Sequence, residues 1–409
     1  MNRIYFDYAA STPVDPAVAD AMTGCFSQKF GNPGSLHYFG QEAMAVIDES
    51  REKIAKAIGA SPAGGFREII FTGSATEANN LALRGIIKGV KRQMSDVECP
   101  RIIVSAIEHE SILETCRDLE KEGVETIYLP VNREGIVDLK KLKEFLNDRT
   151  VLVSIMYANN ETGTIQPIAE IAKIIREFKE TKSGNAYPLF HADAVQAFQF
   201  LDCGVNGIGV DLMTLSAHKI YGPKGIGLLC ARQSAEHKAR NEGFAANGSR
   251  LAPIITGGGQ EFGLRSGTEN TASIAGFAKA IELADKNRLK EAKRIGGLTK
   301  YFFKEIKKIY PAAKMNAAPD KKKLPNILNI FFPGRRADDL LIKLDMAGIA
   351  VSSGAACSAR STKLSHVLAA CGFSEKRIKS SLRFSFGRFT TRAEINEALK
   401  RIKIAFRST

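Results

Sequence analysis

No apolar run in this chain approaches the roughly 18 residues that a membrane-crossing helix needs, so no such helix is expected. The opening stretch, Met1-Asn-Arg-Ile-Tyr-Phe-Asp-Tyr8, has an acidic residue early and no apolar signal core. It matches neither a secretory signal nor a transit peptide, and a cytoplasmic location is the expectation. Cysteine is sparse: seven residues, at positions 25, 99, 116, 203, 230, 357 and 371. No two of them have C-x-x-C spacing, which argues against a zinc ribbon or cluster ligation, and no metal is expected. In the cytoplasm the thiols stay reduced, and most should serve as small core hydrophobes. No repeat of 20–50 residues is visible, so a solenoid is excluded.

What is present is ordinary for a globular protein: 44% hydrophobic and 25% charged residues over 409 positions. That length allows two to three structural units. The net charge of +14 is unevenly placed. Residues 286–323 hold 13 basic and 3 acidic side chains, and residues 376–409 hold 10 and 2. Charge alone invites a nucleic-acid-binding reading, because phosphate contacts come mainly from Lys and Arg. The basic stretches contain no recognised RNA-binding module, however, and no direct nucleic-acid partner is expected. A field of this kind also suits docking of an acidic protein partner.

Strand-like and helix-like stretches alternate through the first two thirds. Strands are predicted at 68–72, 101–105, 150–156, 187–193, 212–216 and 226–231. Helices are predicted at 38–59, from 75 toward 87, at 111–122 and at 167–180. The strands are apolar on both faces, the mark of a buried, mostly parallel sheet. A ligand should then sit at their carboxyl ends. The character changes beyond about residue 276. A strand at 327–332, a helix at 337–346, a half-exposed strand at 380–386 and a last helix at 392–406 describe a smaller α+β unit. The expected fold class is therefore α/β: a large domain over 16–285, and a small domain made of 1–15 and 286–409.

Six features could carry chemistry, and five of them have a plainer alternative. Lys219 follows a buried strand, where a lysine amine can bond covalently to a carbonyl cofactor; singly it is also an ordinary surface charge. Thr72-Gly-Ser-Ala-Thr-Glu77 opens a helix whose N–H groups and hydroxyls could cradle a phosphate, or Ser74 and Glu77 could form a capping box. Asp193, at a strand end, could pair with a protonated ring nitrogen or cap the following turn. His109 could stack on a flat ring or shuttle a proton, or be structural. Cys357 stands in a small-residue loop with Arg360 and Lys363 nearby, surroundings that favour a reactive thiolate. Arg383 could clamp a carboxylate or be a surface charge on its strand. Together the six describe pyridoxal phosphate chemistry on a small amino acid, with a cysteine nucleophile.

The chain resembles the cysteine desulfurases, class-V aminotransferase-like enzymes with the pyridoxal-phosphate-dependent transferase fold (fold type I). The resemblance runs from Tyr5-Phe-Asp-Tyr-Ala-Ala to Arg383-Phe-Ser-Phe-Gly-Arg-Phe-Thr-Thr391. It rests on Gly31-Asn-Pro-Gly-Ser35, Ala75-Thr-Glu77, Glu108-His109, Asn159-Asn-Glu-Thr-Gly163, Asp193-Ala-Val-Gln196, Ser216-Ala-His-Lys-Ile-Tyr-Gly-Pro-Lys-Gly225, Arg265-Ser-Gly-Thr268 and Ser352-Ser-Gly-Ala-Ala-Cys357. The short Ser-Ser-Gly-x-x-Cys loop resembles the nitrogen-fixation and housekeeping branch.

The resemblance implies that L-cysteine is the substrate and that Cys357, Lys219 and His109 are catalytic. Lys219 would carry pyridoxal phosphate, with Ala75, Thr76, Ser216 and His218 at its phosphate. Asp193 would sit at the ring nitrogen, Gln196 at the ring hydroxyl and His109 on the ring face. Asn160 would contact the cofactor and, with Arg383, the substrate carboxylate. Thr268 would reach the neighbouring subunit's phosphate in a homodimer. The sulfur would pass to an iron–sulfur scaffold or a tRNA-modifying sulfurtransferase. A selenocysteine lyase or another class-V enzyme is the alternative. Gly73-Ser74 stands where the family commonly has Ser-Gly, and the polar stretch 233–252 is longer than usual.

Overall fold

The computed structural model describes residues 2–60, 65–93, 99–182, 187–232, 251–316, 322–353 and 364–407. Strand β1 (Ile4–Tyr5) opens the chain, followed by helices α1 (Pro16–Ser27) and α2 (Tyr38–Ala57). Then come β2 (Ile69–Thr72), α3 (Ala75–Gln93), β3 (Arg101–Ser105), α4 (Glu110–Glu120), β4 (Glu125–Leu129), α5 (Leu139–Phe145), β5 (Thr150–Ser154) and α6 (Ile168–Glu180). β6 (Leu189–Asp193), α7 (Val205–Ile208), β7 (Leu212–Ser216) and β8 (Gly227–Ala231) complete this part. The remainder holds α8 (Thr271–Ile309), β9 (Lys314–Met315), β10 (Ile327–Phe331), α9 (Ala337–Met346), β11 (Ile349–Ala350), α10 (His366–Ala370), α11 (Glu375–Ile378), β12 (Ser381–Ser385) and α12 (Arg392–Arg407).

Seven strands form one sheet in the order β2-β8-β7-β6-β5-β3-β4. β8 is antiparallel to both neighbours, and the other pairings are parallel. Side-chain alternation sorts these strands between two cores. Ile69 and Phe71 of β2 enter one hydrophobic cluster and Ile70 the other. Leu228 and Cys230 of β8 likewise part from Leu229 and Ala231. Both faces are thus covered, which is why these strands read as continuous apolar runs.

A second sheet, β12-β10-β9, is antiparallel, and β1 pairs in parallel with β11. The chain's first residues therefore join its C-terminal part: Ile4 faces Ile349, and Asp7 bridges to Ser385. α8 runs unbroken through position 285, packing on α1 and α2 and also meeting β10 and α12.

One expectation is corrected. β12 is not half-exposed: all five of its residues are buried. Its polar positions, Ser381, Arg383 and Ser385, face protein interior, and a polar–apolar alternation cannot tell a wet face from a hydrogen-bonded one. β4 and α5 were not anticipated. β4 is an edge strand whose Glu125, Thr126 and Tyr128 are not buried, so its apolar signal is weak.

Candidate active site

The carboxyl ends of β3, β5, β6 and β7, together with the start of α3, surround one cavity of about 490 Å³. Ala75, Thr76, His109, Asn160, Asp193, Gln196, Ser216, His218, Lys219 and Arg383 all line it. The segment 9–11 closes another side, and its backbone receives Lys219: Nζ donates to the carbonyls of Ala9 (2.9 Å) and Ala10 (2.7 Å).

Local sequence builds each wall. β2 ends at Thr72, and the next residues cap α3: Ser74 Oγ accepts from Glu77 N–H (3.1 Å), while Glu77 Oε2 accepts from Gly73 N–H (2.8 Å). The capping box is therefore formed at the helix start that lines the cavity, and Arg265 Nε neutralises Glu77 at 2.8 Å. Gly227 lets this helix start press on the sheet. A Cβ there would lie 2.5 Å from the Ser74 carbonyl carbon and 2.6 Å from Ala75 N.

Asp193 caps its own turn through Val195 N–H (3.0 Å), and its other oxygen accepts from Asn79 Nδ2 (2.9 Å). Asn79 also donates to Ser111 Oγ (2.9 Å), which lies 2.9 Å from His109 Nδ1. A hydrogen-bonded path thus joins the aspartate to the histidine. His109 is the N-cap of α4: Nδ1 accepts from Ser111 N–H, so the neutral ring carries its proton on Nε2. Burial lowers the pKa of His109, Asp193 raises it and Lys219 lowers it, with a net downward shift. His218, burdened by burial and by Lys219 and Lys224, is pushed down to about 4 and is neutral. Gln196 Nε2 donates to the Ala9 carbonyl at 2.9 Å.

Several residues of the site were given no role from the sequence, although Glu108 and Glu161 stand within the motifs quoted above. Glu108 is fully buried, accepts from Met156 N–H (2.8 Å) and Ser105 Oγ, and burial raises its pKa to about 8. His366 lines the cavity and its Nε2 meets the Glu108 carbonyl at 2.9 Å. Glu161 accepts from Ser365 Oγ (2.5 Å). These contacts join distant segments and leave no spacing to read. Thr268 is placed apart from the others: it is exposed and does not line the cavity. Cys357, Arg360 and Lys363 lie outside the described residues, as do positions 233–250 of the longer polar stretch.

The residues present fit pyridoxal phosphate. They combine a cavity lysine, a buried carboxylate at a strand end, the N–H groups of a long helix and an arginine whose buried Nε has no partner.

The aminotransferase class-V family matches residues 4–398. Cysteine desulfurase IscS of Dictyoglomus turgidum is 43% identical over 398 residues, covering 97% of this chain and 93% of its own. The chain belongs to the class-V aminotransferase family, among the cysteine desulfurases. Solved structures agree with this class-V membership. A NifS-like protein superposes with a TM-score of 0.86 at 34% identity, covering 100% of both chains. SspA in complex with cysteine gives 0.78 at 34% identity, covering 95% of this chain and 100% of SspA.

Proposed function

We propose that this cysteine desulfurase uses pyridoxal phosphate to take sulfur from L-cysteine, forming L-alanine and a persulfide on Cys357. The observation that carries the reading is the meeting of Lys219, Asp193, His109 and the start of α3 at one cavity. Bound there, the cofactor would draw electrons from the amino acid's Cα. Asp193, held in place by Asn79 and Val195 N–H, would accept a hydrogen bond from the protonated ring nitrogen. Ala75, Thr76, Ser216 and His218 would hold the phosphate, Gln196 would hold the ring hydroxyl, and Asn160 would contact the cofactor. Lys219 Nζ removes the Cα proton. Cys357 Sγ, as thiolate, attacks the substrate sulfur. The carbon–sulfur bond breaks, a sulfur–sulfur bond forms on Cys357, and its former electron pair stays on the carbon side and is protonated. His109 Nε2 would carry that proton, Lys219 Nζ returns a proton to Cα, and the organic product is alanine.

Five of the six other thiols support Cys357 as carrier; Cys99 is half-buried. Cys25, Cys116, Cys203, Cys230 and Cys371 are buried, and burial pushes Cys116 up to about 12 and Cys371 to about 11. Thiols held protonated are poor nucleophiles.

The division into 16–285 and 1–15 with 286–409 places Cys357 and Arg383 on the small domain and Lys219 on the large one. The partners are a second copy of the chain, whose phosphate Thr268 would reach, and a sulfur acceptor for iron–sulfur assembly or tRNA thiolation. The setting is the cytoplasm. The test supplies L-cysteine and a thiol reductant to the purified protein and measures alanine and sulfide. Equal yields of both are expected; an enzyme that makes neither contradicts the reading.

A further inference from the structure

Arg383 lines the cavity, yet its side chain is only 1% exposed and its charge is already matched inside the protein. Nη2 donates to Asp7 Oδ1 at 2.8 Å, and Nη1 donates to the Asn160 carbonyl at 2.9 Å. Nε is buried and without a partner. Asp7 itself does not line the cavity. Its backbone is fixed from several directions: it bridges to Ser385, and its carbonyl accepts from the Tyr5 hydroxyl (2.9 Å) and Ala10 N–H (3.0 Å). A guanidinium has five N–H donors, so these contacts leave room for a second carboxylate beside the first.

We propose that Asp7 limits affinity: it is a resident carboxylate that shares Arg383 with the substrate carboxylate and weakens the grip on both cysteine and alanine. The proposal rests on the reading that Arg383 takes the substrate carboxylate. A single guanidinium carries one positive charge. Once Asp7 has matched it, an arriving carboxylate meets a neutral pair and a nearby like charge, in a site where burial leaves little screening. The substrate carboxylate is unchanged by the reaction, and alanine carries the same group. Holding it more tightly would bind substrate and product alike without speeding the chemistry. Asp7 keeps the carboxylate oriented through Arg383 while allowing alanine to leave.

The experiment uses the holoenzyme. It measures equilibrium binding of L-alanine by calorimetry and the KM for L-cysteine. Asp7→Asn keeps an acceptor oxygen for Nη2 and removes the charge. It is expected to lower both the alanine Kd and the cysteine KM by about tenfold, without raising kcat. Asp7→Glu, which keeps the charge, should tighten neither. Asp7→Ser is the second neutral variant should the Asn form fail to fold, and it too should tighten both. Arg383→Gln should weaken alanine binding by tenfold or more. If Arg383→Gln weakens binding but the neutral Asp7 variants do not tighten it, the role of Asp7 is overturned while that of Arg383 stands. If Arg383→Gln leaves alanine binding unchanged, the Arg383 reading fails and the Asp7 proposal falls with it.

Discussion

Among single residues, Glu108 makes the sharpest electrostatic prediction. It is fully buried beside His109, and only Ser105 Oγ and Met156 N–H favour its charged form. Burial wins, and the folded protein keeps the proton up to about pH 8. The unfolded chain releases it near the ordinary glutamate value of about 4.3. Between those limits the folded state binds more protons, so this residue's contribution to stability falls as pH rises. Glu108→Gln removes that dependence. The melting temperature of the variant relative to the parent should climb from about pH 5 to about pH 8; a constant difference would contradict the assignment. This role was not legible in the sequence. Glu108 could be read there only as the neighbour of His109, because its partners come from the ends of two different strands. Lys219, Asp193 and His109 were legible, because each directly follows or ends an apolar run that becomes a sheet strand. The plainer alternatives for Asp193 and His109 also hold, since both side chains cap backbone while lining the cavity. For Arg383 the surface alternative does not.

At the scale of elements, the central strands were readable because burial on both faces leaves a continuous apolar run. The edge strand β4 was not, and β12 was read on the wrong side of its polarity. Its serines and arginine answer to Asp7, Asn160 and the backbone rather than to water. The contact between β8 and α3 decides where the N–H groups proposed to bind phosphate stand. Gly227 permits it, and the atoms a Cβ would strike are backbone, which cannot swing aside. Gly227→Ala should therefore displace the start of α3 and weaken pyridoxal phosphate binding by at least tenfold, with the far-ultraviolet circular dichroism retained. Cofactor titration by fluorescence measures this, and an unchanged affinity would show that the helix start does not hold the phosphate.

For the whole molecule, the surface has two features that single residues do not explain. One is an exposed aromatic and aliphatic group around the turn between α1 and α2: Phe26, Phe30, Leu36, Tyr38 and Phe39, with Leu36 91% exposed. Patches of this kind mark interaction surfaces, and this one suits the proposed homodimer, as does exposed Thr268. Phe30→Asp combined with Leu36→Asp should shift the protein to monomer in light scattering and lower its cofactor affinity; a persistent dimer would remove this patch from the interface. The other is the net charge of +14, concentrated in the C-terminal third, in stretches that flank the Cys357 segment in sequence. It suits an acidic sulfur acceptor, and transfer to such an acceptor should slow as salt rises. All of this presupposes that sulfur leaves L-cysteine onto one thiol. The most direct measurement is the intact mass of the protein after L-cysteine without reductant, for the parent and for Cys357→Ser. The parent should gain one sulfur atom, mapped to Cys357, while the variant keeps the cofactor's absorbance and gains none. Sulfur gained equally by the Cys357→Ser protein would contradict the account.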